Sequence, residues 1–215
     1  MINPSSTMEI SICNQLFTLH PSGAIYWQNQ NMVMIADVHL GKVTHFRKYG
    51  SAIPQSAINA NFERLNEVLS CFNPAKIGFL GDLFHSSLNK EWNYFESWVK
   101  SQPAKIILIK GNHDIISPTK FLDLDIELVE ELIMDKFLLT HHPENRSGLF
   151  NISGHIHPGI NIRGSGRQSL KVPCFHRQVD QIILPAFGAF TGKFLVKPRS
   201  GDKIYATTKD EVIMI

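Results

Sequence analysis

Apolar and polar residues alternate along Glu9–Leu19, and the pattern predicts a hairpin arm that folds back around Asn14-Gln15. Two short runs follow, Ala24–Trp27 and Met32–Ala36. With Asn29-Gln30-Asn31 between them they read as two strands joined by a turn. Beyond Pro54 the period changes. Ile58, Phe62, Leu65 and Leu69 recur at helical spacing, which predicts an amphipathic helix over Ser56–Phe72, stopped by Asn73-Pro74. Lys76–Leu80 and Lys105–Ile109 are short apolar runs followed by Gly81-Asp82 and Gly111-Asn112. Between them, Trp92, Phe95 and Val99 share one face of a helix over Glu91–Lys100. Downstream the helical period mostly disappears. Lys136–Leu139, Leu149–Ile152, Asn161–Arg163, Leu170–Phe175, Gln181–Leu184, Lys203–Thr207 and Val212–Ile215 all read as strands. Strand–helix–strand units first and a series of strands afterwards predict an α/β fold built on mixed sheets. No repeat or long linker divides the chain, so residues 1–215 are read as a single domain, as the length of 215 residues suggests at roughly 150 per domain.

Composition narrows the setting. Apolar residues make up 43% and charged residues 19%, which excludes wholesale disorder. The net charge of +2 neither demands nor excludes a polyanionic partner. Cys13, Cys71 and Cys174 are odd in number and widely spaced. They form neither a disulfide framework nor a metal knuckle, so a reducing, cytoplasmic setting is expected. The first residues lack the pattern of a secretory signal, and no apolar run approaches the ~20 residues of a membrane span, so no membrane partner is expected. Charge is uneven. Asp123–Asp135 holds six acids and no base, while Arg163, Arg167, Lys171 and Arg177 sit in a stretch without acids. Both read as solvated faces. Trp92, Phe95 and Trp98 read as helix core rather than as a stacking surface.

The unusual feature is where the histidines fall. Asp37 and His39 follow Met32–Ala36, Asp82 follows Lys76–Leu80, and Asn112-His113-Asp114 follow Lys105–Ile109. His141 follows Lys136–Leu139, and His155 and His157 follow Leu149–Ile152. Ligands of α/β sheets collect beyond the carboxyl ends of strands, so five such loops should converge on one site. Imidazole and carboxylate together suit zinc, manganese, iron or nickel. Asp37, His39, Asp82, Asn112, His141, His155 and His157 are too many for one ion, and suit two cations about 3.5–4 Å apart. Glycines before Asp82, Asn112 and His155 permit tight turns and close approach. Taken singly, each motif is also explained by turn or capping chemistry; the shared strand-end placement of all five is not.

The order D-V-H (37–39), G-D-L-F-H (81–85), G-N-H-D (111–114), T-H-H (140–142) and G-H-I-H (154–157) resembles the calcineurin-like metallophosphoesterase superfamily. Within it, LHPSGAIYW (19–27) and LPAFGAFTG (184–192) are similar to the ligase-associated DNA-damage-response endonuclease family, the PdeM type. The resemblance implies a four-layer sandwich of two facing mixed β-sheets flanked by helices. It implies two divalent metal ions, manganese first, with Zn2+, Fe2+ or Ni2+ as alternatives. Asp37, His39, Asp82 and His157 would hold one; Asp82, Asn112, His141 and His155 would hold the other, with Asp82 bridging. Where family members often carry Glu, this chain has His142.

On that basis His113 is the candidate general acid, with Asp114 orienting its ring. His85 is a second catalytic candidate, either touching the scissile phosphate as in the SbcD-type nucleases or acting from behind the ligands. Lys42, Arg47 and Lys48, with His45 nearby, and Arg163 and Arg167 around Gly164-Ser165-Gly166 are candidate phosphate contacts, each with a solvated basic turn as the plain alternative. The implied activity is metal-dependent hydrolysis of phosphodiesters, a DNA-repair nuclease with DNA as substrate and a DNA ligase or helicase as partner. A phosphodiesterase or diphosphatase acting on nucleotides or lipid precursors is the competing enzyme, and a metal-free scaffold the non-enzymatic alternative.

Overall fold

In the computed structural model, which describes residues 6–48, 50, 56–85, 88–164 and 168–215, the opening alternation forms β1 (Met8–Ile12) and β2 (Gln15–Leu19). The turn is Cys13-Asn14, one residue earlier than the pattern indicates. Both have positive φ, 49° and 62°, as a two-residue type I′ turn requires, and Ile12 pairs with Gln15. β3 (Ile25–Trp27) and β4 (Met32–Ile35) continue antiparallel, joined by a 3₁₀ turn over Gln28–Gln30 that ends with Asn31 left-handed. The chain then forms α1 (Lys42–Lys48), α2 (Ser56–Phe72), β5 (Lys76–Leu80), α3 (Lys90–Lys100) and β6 (Lys105–Ile109). Helix α1 is not signalled by periodicity, because its seven residues are mostly polar.

The acidic stretch 123–135 is more than a solvated face. After the short α4 (Pro118–Leu122) it supplies β7 (Glu127–Val129) to the edge of the first sheet and β8 (Leu132–Met134) to the edge of the second. Leu128, Val129, Leu132 and Met134 lie against the core, while Glu127 pairs with Lys105 and Glu131 with Arg146 outside. Short edge strands flanked by charge, as these are, resist pairing with other chains. The first sheet runs β1-β2-β3-β4-β5-β6-β7, antiparallel up to β4 and parallel beyond it.

The second sheet is assembled from β9 (Phe137–Leu139), β10 (Phe150–Ser153), β11 (Pro158–Arg163), β12 (Ser169–Arg177), β13 (Gln181–Ile183) and β14 (Phe194–Leu195) in the order β14-β11-β12-β13-β10-β9-β8. β15 (Lys203–Thr207) and β16 (Val212–Met214) pair outward from β12. Two facing mixed sheets are therefore present as expected. Helices α2 and α3 cover the first sheet, but among the described residues no helix follows Leu122, so helical cover is one-sided.

Strand β4 shows how the core is partitioned. Met32 and Met34 face the second sheet, whereas Val33 and Ile35 pack with Leu65, Phe95 and Trp98 under the helices. With both faces covered, the strand is apolar throughout. Between the sheets Phe17 stacks on Trp27 with centroids 5.3 Å apart, and Phe137 closes on Trp27 at 4.7 Å.

Arg64 of α2 fastens the loops near the carboxyl edge. It donates to the Ser22 and Phe187 carbonyls, each at 2.8 Å, and lies 4.9 Å from the Phe187 ring centroid. His20 is buried beside it, its Nδ1 2.8 Å from Ser22 Oγ. Burial first, and the Arg64 charge second, lower the imidazole to about 4.

Two outcomes follow from this packing. Phe137→Ala is expected to cost about 3–5 kcal/mol in urea unfolding, the range for emptying a large buried aromatic site. For His20, the unfolded chain takes a proton near 6.5 and the folded chain only near 4. Stability should therefore fall as pH drops through that window, by about 3 kcal/mol from this group. Unfolding curves from pH 8 to pH 4 should show a shallower decline for His20→Gln than for the wild type.

Candidate metal centre

All five loops singled out in the sequence meet at one edge. Asp37 and His39 leave the end of β4, Asp82 that of β5, Asn112–Asp114 that of β6, His141 that of β9, and His155 and His157 that of β10. Backbone bonds lock neighbouring loops together. The Asp37 amide donates to the Gly81 carbonyl (3.2 Å), the His39 amide to the Asp82 carbonyl (3.0 Å) and the Gly154 amide to the His141 carbonyl (3.0 Å). The two sheets are joined at the site by the His155 amide, which donates to Asp37 Oδ2 at 2.9 Å.

The side chains crowd acceptor atoms together. Asp37 Oδ1 lies 3.2 Å from His157 Nε2. His141 Nδ1 is 2.9 Å from the Leu80 carbonyl, which can only accept, so the proton is on Nδ1 and the lone pair on Nε2. That Nε2 stands 3.0 Å from Asn112 Oδ1, 3.4 Å from Asp82 Oδ1 and 3.2 Å from His155 Nδ1. Donor atoms of Asp37, His39 and His157 fall within 4.8 Å of one another, as do those of Asp37, Asp82 and His141, and those of His141, His142 and His155. Asp37 Oδ1, His39 Nδ1 and His157 Nε2 are buried without a hydrogen-bond partner. Buried polar atoms are normally paired, so this set fits divalent cations.

Protonation agrees with that fit, since a metal takes the neutral imidazole. Burial depresses His39 to about 2, helped by the charges of Lys42, His157, His85 and His113. Burial, then His142 and His141, also lowers His155, against the pull of Asp37 and Asp82.

The backbone is strained where these residues sit. Asp37, His39, Asp82, His155 and His157 all have positive φ, between 50° and 67°. Left-handed conformation costs a side-chain-bearing residue of order 1 kcal/mol, and such outliers gather at functional sites. The glycines serve close approach. A β-carbon on Gly111 would collide with the Asp82 backbone nitrogen and carboxylate, and one on Gly81 with the His141 ring.

The other predicted residues divide. The His85 and His113 rings lie 5.1 Å apart and 5.5 and 5.7 Å from His39, so both belong to the site. The His113 amide donates to Asp82 Oδ1 at 2.9 Å. Asp114 does not orient the His113 ring by a hydrogen bond. Its carboxylate accepts from the Phe84 amide (3.1 Å) and the Gly111 amide (2.9 Å), and so fastens the two loops. Burial raises the pKa of Asp114, against the Phe84, Gly111 and Asp82 amides that favour its charged form. Lys42 opens α1, where burial lowers its pKa against the pull of the Asp82 charge, and Arg47 lies exposed near the end of that helix. Arg163 ends β11, about 16 Å along the strand from Pro158, and is not brought to the centre. Arg167 and the side chains of His45 and Lys48 lie outside the described residues.

Two contributors were not among the ligand or catalytic candidates read from the sequence. His142 packs its ring 3.9 Å from that of His155 and joins the third donor group. Glu91, at the start of α3, is 1% exposed and accepts from the Gly41 amide (2.7 Å), the Thr44 amide (3.0 Å) and Thr44 Oγ1 (2.7 Å). It caps α1 and holds Lys42 beside the centre. A lone Glu in a helical pattern carries no signal of such a role.

Gly111→Ala tests the close approach. The methyl group would displace Asp82, so calorimetric titration with manganese should show affinity lowered by about tenfold or more, as when a ligand's support is disturbed.

Comparison with known proteins agrees with this geometry. No curated protein sequence matches the chain. Among solved structures, the nuclease MPE of Pseudomonas putida is 28% identical with a TM-score of 0.81, over 97% of this chain and 100% of that one. More distant are a protein of unknown function, AQ665, from Aquifex aeolicus (20% identity, TM-score 0.44, 59% of this chain and 78% of that one) and the E. coli phosphoesterase Yfce (14%, 0.43, 86% and 97%). The model of the calcineurin-like phosphoesterase family matches residues 31–182, a span that holds every candidate ligand from Asp37 to His157. The chain therefore belongs to the calcineurin-like phosphoesterases and is a metal-dependent phosphoesterase.

Proposed function

We propose that the protein is a nuclease that hydrolyses phosphodiester bonds of DNA, with Asp37, His39, Asp82 and His157 holding one divalent cation and Asp82, Asn112, His141 and His155 the other. The observation that carries this reading is the extent of the likeness to the Pseudomonas putida nuclease, which runs over nearly the whole of both chains and past the ends of the family match. Manganese is the proposed ion, DNA repair in the cytoplasm the proposed setting, and a helicase or DNA ligase the proposed partner, all from the family resemblance.

Bound divalent cations supply Lewis acidity at the phosphate and an acidified water as nucleophile. The chain's own residues do the rest. Asp82 fixes the His113 backbone through the 2.9 Å bond, so the half-buried imidazole is held at the rim of the site. From there His113 protonates the departing oxygen. His85, ring to ring with His113, binds the scissile phosphate. Lys42, held by the Glu91 cap, adds a positive charge that favours the phosphorane-like transition state over the ground state.

The manganese-loaded protein should cleave a DNA oligomer and a simple aryl diester, and Asp82→Ala should abolish both. His113→Ala should lower DNA turnover by about 10²–10⁴-fold, the usual worth of a general acid, while bound manganese stays unchanged. Its loss should be smaller on the aryl diester, whose leaving group needs no proton. No diester cleavage above the Asp82→Ala control, or turnover of nucleotide diphosphate esters with none of DNA, would overturn the proposal.

A further inference from the structure

Segment 187–196 is strapped across the metal-bearing loops. The Phe187 amide donates to the Ala36 carbonyl (2.9 Å) and the Gly188 amide to the Asp37 carbonyl (3.1 Å). Further on, the Phe194 amide donates to the His157 carbonyl (2.9 Å) and the Val196 amide to the Gly159 carbonyl (2.9 Å). Two of these acceptors belong to candidate ligands, so the strap is seated on the centre from both sheets. Gly188 lets it lie that close, because a β-carbon there would collide with the Val38 carbonyl oxygen.

Along its length the strap presents side chains to solvent. Phe190 is 41% and Phe194 64% exposed, with Lys193 exposed between them and Lys197 beyond. A cleft of about 90 Å³ separates Thr191, Gly192 and Lys193 from His157. Neither phenylalanine joins either core cluster. Flat apolar faces alternating with ammonium groups match a nucleotide strand, whose bases stack on aromatic rings and whose phosphates pair with lysine. Anchoring on Asp37 and His157, and the lysine between the two rings, favour the substrate strand over a second protein as the occupant.

We propose that the strap is a base-stacking site, with Phe194 and Phe190 taking the face of an unpaired nucleobase and Lys193 an adjoining phosphate. This rests on the nuclease reading and names how the strand is held. In a continuous duplex both base faces are occupied, so only an unpaired or flipped-out base fits.

Fluorescence anisotropy tests it, with calcium in place of manganese. The probes are a labelled thymidylate 12-mer and an abasic tetrahydrofuran strand of the same length. The wild type should bind the thymidylate strand about tenfold or more tighter than the abasic one. Phe194→Ala and Phe190→Ala should each remove much of that preference and change abasic affinity by less than about twofold, and Phe194→Trp should restore it. Lys193→Ala should weaken both strands and lower the salt dependence by about one phosphate contact. Wild-type cleavage of DNA with phenylalanine variants that bind both strands like the wild type would overturn the site alone. So would sedimentation showing a wild-type dimer that Phe194→Ala dissociates, which would assign the face to a second copy. A wild type that neither binds nor cleaves either strand would sink the nuclease reading and the site with it.

Discussion

The bond from the His155 amide to the Asp37 carboxylate is the contact on which the site depends, because it joins a loop of the second sheet to a loop of the first. Each sheet alone carries an incomplete donor set. Asp37, His39, Asp82 and Asn112 come from the first, and His141, His155 and His157 from the second. The aromatic packing of Phe17, Trp27 and Phe137 holds the sheets face to face, so both carboxyl edges arrive at the same place. Close packing makes that placement stiff. A metal site tolerates errors of only a few tenths of an ångström, so a stiff seam suits it better than a mobile hinge.

Charged groups buried or half-buried behind the donors support them. Glu91, Asp114 and Arg64 each tie a loop near the site to its neighbour through backbone groups. Glu91 and Asp114 bind backbone amides, which are matched to carboxylates in charge and geometry. Arg64 binds two carbonyls in different loops at once, which its planar fork allows and a lysine ammonium would not reproduce. These groups are costly to bury, and breaking one partner away leaves the other unpaired.

Much of the fold was legible in the sequence because burial imposes a period. Ser56–Phe72 is helical within the bounds that Ile58 and Leu65 suggest, and the strands ending at Ile35, Leu80, Ile109 and Leu139 stand within a residue of the pattern. The ligand loops were legible because strand-end placement is a topological fact that needs no side-chain geometry. What stayed hidden depends on tertiary contact. β7 and β8 are edge strands of three residues each, too short to show an alternation, and acids surround them in the sequence. α1 is too short and polar to show a period, and its cap comes from Glu91, far along the chain. Asp114 follows a histidine in sequence but turns towards amides of two loops, a choice that spacing does not reveal. β14 is two residues long, and it is its exposure beside His157, not its pattern, that sets it apart.

The left-handed backbone at Asp37, His39, Asp82, His155 and His157 also bears on how this chain would respond to stabilisation. Glycine adopts that conformation without the steric penalty, so local conformational energy alone would favour glycine at every one of these positions. Thermal tolerance and chemistry thus pull the same five residues in opposite directions. Any engineering guided by backbone preference would harden the apoprotein by dismantling its reason to exist.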